Sequence, residues 1–88
     1  MSAEELLARG SEVLAHDAFV RTESELMRRS RWAMRMSQKD VAAALDVPQA
    51  YISRVENGST TGIGRDVLGR IVEFYRRATD AYRASRGG

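Results

Sequence analysis

SQKDVAAALDVPQAYISRVENG, residues 37–58, reads as two short helices joined by a tight turn. Ser37 is a good helix N-cap because its hydroxyl can accept from an amide of the first turn, and Asp40 adds negative charge near the positive end of the helix dipole. Val41, Ala42 and Leu45 then form one apolar stripe, while Lys39, Asp40 and Ala43 face elsewhere. Asp46-Val47-Pro48 breaks this pattern. Aspartate tolerates a left-handed backbone, the residue before proline avoids the helical region, and proline fits the first turn of a new helix. Ile52 and Val55 supply the apolar side of that second helix, with Tyr51 adjacent, and Asn57-Gly58 is a strong stop. Two helices crossing steeply need a small side chain where they meet, and Ala42 lies at that point. Gln49, Ala50, Ser53 and Arg54 form the opposite, polar face of the second helix.

A unit of this shape can seat its second helix in the major groove of DNA. The pattern resembles the phage repressor and Cro (XRE) type of helix-turn-helix domain over roughly residues 22–76, and the run VENG is itself a signature of that family. The resemblance implies an all-α fold, a compact bundle of about five helices. It implies that Val41, Ala42, Leu45, Ile52 and Val55 are buried and that Gln49, Ala50, Ser53 and Arg54 read bases. Gln38, Lys39 and Tyr51 are then expected near phosphates, and Glu56 is expected to pair with Arg31 on the preceding helix. Two features depart from the family pattern. Asp46 stands where glycine is preferred, and the loop Ser59-Thr60-Thr61-Gly62-Ile63-Gly64 is a residue longer than usual and lacks the common proline.

Composition narrows the remaining choices. Eighty-eight residues with 43% apolar content make one small domain, too short for a deep pocket plus an independent regulatory domain. The chain has no cysteine and a single histidine, His16, so no metal site and no cofactor are expected. No acid–base pair, nucleophile motif or glycine-rich phosphate loop is present, which argues against an enzyme. No apolar run is long enough to span a membrane and the N-terminus is acidic, so a cytoplasmic, nucleoid-associated protein is expected. Net charge is only +2, but it is unevenly spread. Residues 1–27 hold two basic and six acidic residues, net −4, whereas residues 28–88 hold twelve and six, net +6. Only the second part suits a phosphate backbone.

Residues 1–21 are expected to form an acidic helical extension and 22–84 the helix-turn-helix domain, with 85–88 a tail. In the extension, Ser2 and Glu5 make a capping-box pattern, Leu6, Leu7, Val13 and Leu14 recur at near-helical spacing, and His16-Asp17 marks the end. This helix is expected to pack on the core or on a second subunit or protein partner. A new helix is expected from Thr22, capped with Glu25, to about Arg35, with Leu26, Met27 and Ala33 inward. Within its basic stretch Trp32 is expected to fill the seam between helices while the arginines reach water, the alternative being a tryptophan that flanks DNA or a partner.

After Gly58, the hydroxyls and amides of Ser59, Thr60 and Thr61 are candidate phosphate contacts. A last helix is expected from Arg65 to Ala84. Its apolar face, including Leu68, Ile71, Val72, Tyr75 and Tyr82, is wider than one core contact requires and suits either the N-terminal helix or a second copy. A homodimer on double-stranded DNA is the preferred reading, with the chain acting as a transcriptional regulator of the phage-repressor kind. Its alternatives are an antitoxin that represses its own operon and a protein-interaction module on the same fold.

Overall fold

The computed structural model describes the backbone of residues 3–87 and the side chains of residues 15–87. Four helices follow in order: α1 Ala3–Ala33, α2 Gln38–Leu45, α3 Gln49–Glu56 and α4 Arg65–Gly87, with no strand among the described residues. The capping pair expected from Ser2 and Glu5, and the apolar face expected from Leu6, Leu7, Val13 and Leu14, lie outside the described side chains.

The fold is the expected all-α helix-turn-helix bundle, with one difference in helix count. Where two helices were expected to meet near residues 17–22, α1 runs unbroken for 31 residues. No glycine or proline lies between Gly10 and Pro48, so nothing forces a break. Val20 is fully buried and Phe19 packs on the core, which holds this segment along α4. Thr22 would cap a helix only if the chain entered one there. Farther along the same contact, the Arg76 guanidinium sits 5.3 Å above the Phe19 ring and Arg83 bonds Glu23.

The three ends that shape the motif use one device. Arg35, Asp46 and Gly58 adopt left-handed backbones with φ of 57°, 55° and 83°. Each lets two amides turn back onto free carbonyls of the finishing helix, the Schellman pattern. The Met36 and Arg35 amides donate to the Arg31 and Trp32 carbonyls at 3.2 and 2.9 Å, and those of Val47 and Asp46 to Ala42 and Ala43 at 3.0 and 3.3 Å. The Ser59 and Gly58 amides donate to Arg54 and Val55 at 2.9 and 3.0 Å. Aspartate thus serves where the family prefers glycine. At its start α2 is closed by a full capping box, Ser37 Oγ accepting from the Asp40 amide at 3.0 Å and Asp40 accepting from the Ser37 amide at 2.9 Å.

The core gathers Val20 and Met27 from α1, Val41 and Ala42 from α2, Ile52 and Val55 from α3, and Leu68, Ile71, Val72 and Tyr75 from α4. Leu45 is only half-buried. The apolar face of α4 packs against α1 of the same chain, and its Leu68, Ile71, Val72 and Tyr75 are buried. Ala33, expected inward, is exposed. Trp32 is also exposed, at 72%, and does not fill the seam. Arg31 takes the inward position, and the 100° step of a helix then turns the next residue outward. Met27, expected inward, is fully buried. Because Ala42 is 5% exposed in the core that joins α2 to α3, the crossing expected there should be overpacked by Ala42→Leu at a cost of about 1–3 kcal/mol. Thermal melting would measure it, and an unchanged midpoint would show that the crossing has room.

Candidate nucleic-acid interface

What aims the second motif helix is a buried carboxylate. Glu56, in the last turn of α3, has no exposed surface. Arg31 of α1 grips it in a fork, Nε donating to Oε2 at 2.6 Å and Nη2 to Oε1 at 2.9 Å. Gln38 Nε2 donates to Oε1 at 3.2 Å, and the Tyr75 hydroxyl donates to Oε2. One side chain therefore fastens α3 to α1, α2 and α4. Two further bonds tighten the knot, from Arg31 Nη1 to the Met36 carbonyl at 2.9 Å and from Arg28 Nη1 to the Glu56 carbonyl at 2.7 Å.

Burial alone pushes the Glu56 carboxyl up, but the bonds from Arg31, Tyr75 and Gln38 outweigh it and hold the group below the usual carboxylate range. Its bond to Glu56 raises Arg31 further, against the opposing effect of burial. For Tyr75, burial and the adjacent carboxylate push the phenol upward. All three groups keep their ordinary charge states at neutral pH, so the knot is a charged pair plus a neutral donor.

With Ile52, Val55 and Glu56 fixed inward, the opposite side of α3 faces out. Gln49, Ala50 and Arg54 are exposed and Ser53 is half-buried. Positions 49, 50, 53 and 54 fall on one side of the helix, the spacing a groove-reading face needs. The Arg54 guanidinium is folded back, 5.6 Å over the ring of the half-buried Tyr51 and 3.4 Å from the Thr61 carbonyl. Gly62, with φ +77°, leaves it room, since a Cβ there would lie 3.2 Å from Arg54 Nη1.

The candidate phosphate contacts divide. Lys39 is exposed in the first turn of α2, whereas Gln38 is turned toward Glu56. In the loop, Ser59 Oγ bonds Thr61 Oγ1 at 3.2 Å, and the Thr60 hydroxyl donates to Asp17 Oδ1 at 2.9 Å. That bond pins the loop to α1 and sets a carboxylate of the acidic segment beside it. Of the α4 residues named from the sequence, Leu68, Ile71, Val72 and Tyr75 are buried and Tyr82 is half-buried. Tyr75 and Arg28 belong to the Glu56 knot, a role that sequence reasoning missed. Tyr75 read as one more apolar residue of α4, and no local spacing links either residue to Glu56. Among the described residues no cluster of acidic, histidine or cysteine side chains could hold a metal ion, and no helix is long and apolar enough to cross a membrane.

Comparison with known proteins agrees with this geometry. A search of curated proteins and a search of solved structures each returned no match. A helix-turn-helix family model matches residues 27–81, well over half of the chain, and takes in α2, α3 and most of α4. The chain therefore belongs to the XRE-type helix-turn-helix family of DNA-binding regulators.

Proposed function

We propose that the protein is a sequence-specific repressor of the phage type, binding an operator in double-stranded DNA as a homodimer with α3 in the major groove. The observation that carries this reading is the division of α3. Its inward side is locked to three other helices through Glu56, and its outward side offers glutamine, alanine, serine and arginine. Such side chains suit base edges: arginine fits guanine in two-point fashion, glutamine fits adenine, and alanine can meet a thymine methyl. Lys39, with Ser59 and Thr61 of the loop, anchors the backbone, a contribution that weakens as salt rises, while Thr60 is spent on Asp17. Two copies spaced about one DNA turn apart, roughly 34–36 Å, would multiply the affinity of one.

Selection of duplexes from a random pool, at two salt concentrations, tests the reading. A two-fold symmetric motif is expected. Arg54→Ala should lose about 1–3 kcal/mol of discrimination at one or two base pairs, roughly 5- to 150-fold in relative affinity. Uniform weakening over all sequences would show instead that Arg54 contacts only phosphate. Binding without any motif would sink the repressor assignment.

A further inference from the structure

Trp32 is the chain's only tryptophan and stands 72% exposed. It borders a cleft of about 750 Å³ lined by Arg28, Arg29, Tyr82 and Arg86, with Glu25 at its edge. Glu25 is already held by Arg29 at 2.7 Å, so the cleft keeps a surplus of positive charge around exposed aromatic surface. Tryptophan, tyrosine and arginine are the residues that most often carry the binding energy of protein interfaces. The acidic counterpart lies on the same helix. Residues 1–14 contain Glu4, Glu5 and Glu12 against Arg9 alone.

This segment does not reach its own cleft. A straight 31-residue helix is roughly 46 Å long, and the segment and Trp32 lie at opposite ends of α1. A second copy running antiparallel removes the difficulty, because a two-fold axis brings the acidic end of each helix to the basic end of the other. From Ala15 to Trp32, the line Ala15, Ala18, Thr22, Glu25, Arg29 and Trp32 is exposed along α1, with alternating steps of three and four. That is one continuous open face of the helix. Its first three members are too small to hold two helices apart. Centred near Ala18, an antiparallel pair sets residues 4–8 of one copy beside residues 28–32 of the other.

We infer that the dimer forms through antiparallel pairing of two α1 helices, the acidic N-terminal segment of each copy covering Trp32 and the arginine cleft of the other. This rests on the dimeric reading given above. Parallel pairing would set like charge against like and is disfavoured on the same grounds.

The test combines sedimentation equilibrium with tryptophan emission, which reports Trp32 alone. Wild-type protein should form a dimer, and its emission should shift to the blue as concentration rises. Two double variants, Glu4→Lys with Glu5→Lys and Arg29→Glu with Arg86→Glu, should each dimerise at least about tenfold more weakly, because both ends of the pair then repel. Mixed together they should form a heterodimer, since both ends then attract; that recovery also shows that each variant is folded. A monomer at every concentration, without DNA, would overturn the dimeric reading itself. Dimers that persist in both variants with unshifted emission would leave the dimer standing but place its interface elsewhere. A blue shift seen only on adding a duplex would assign the Trp32 face to DNA and overturn the inference.

Discussion

Glu56→Ala is expected to cost the fold about 3–5 kcal/mol, because it leaves the Arg31 guanidinium buried and without its counter-charge. Small domains hold only about 5–15 kcal/mol in total, so the melting midpoint should fall on the order of 20 °C. Tyr75 and Gln38 lose their acceptor at the same time. The fold should tolerate removal of the whole pair better than removal of either half. Arg31→Met combined with Glu56→Leu is expected to recover much of the loss, since apolar replacements of a buried pair are often neutral. Denaturant unfolding of both singles and the double decides it. A double variant as weak as the singles added together would show that the two residues act independently.

The same carboxylate sets a pH dependence. Its pKa is lower in the folded chain than its ordinary value of 4.5. The unfolded chain therefore takes up the proton first as pH falls, and folding stability drops with it. The stabilising contribution is complete above the ordinary value and is lost as pH falls from there through the depressed native value. Stability followed by denaturant titration should decline below about pH 4.5 more steeply in the wild type than in Glu56→Gln. Equal slopes would show that other carboxylates dominate acid unfolding.

The second large effect is expected at Ile52, the fully buried residue by which α3 meets the core. Ile52→Ala should cost about 2–5 kcal/mol through lost burial and the cavity left behind. None of the outward side chains of α3 is altered, so any motif preferred by the wild type should survive in whatever fraction stays folded. Affinity should fall with the folded fraction and return on cooling toward the temperature of maximum stability. A changed preference at low temperature, where the variant is folded, would mean that the cavity has moved α3.

Much of the helix-turn-helix unit was legible in the sequence because its signals act within one or two helical turns. Ser37 caps α2 with Asp40 in its first turn, Asp46 and Pro48 make the turn, and Asn57-Gly58 end α3. These outcomes depend on backbone conformation and on neighbours that the chain itself brings close. The stretch around Thr22 shows the limit of such reasoning. A capping pattern is written there, yet the packing of Val20 and Phe19 on the core keeps the helix intact, since a cap operates only where tertiary contacts allow the chain to turn.

The candidate site divides in the same way. By itself the sequence determined how α3 divides, since helical periodicity separates the exposed Gln49, Ala50 and Arg54 and the half-buried Ser53 from the buried Ile52 and Val55. Only the tertiary structure decided what holds that face in place. Tyr75, Gln38 and Arg28 meet Glu56 across separations of 19, 18 and 28 residues. It also decided that α1 covers α4 and that Trp32 looks outward. Such contacts depend on how whole helices are laid against one another, and that is settled by the summed burial of the core.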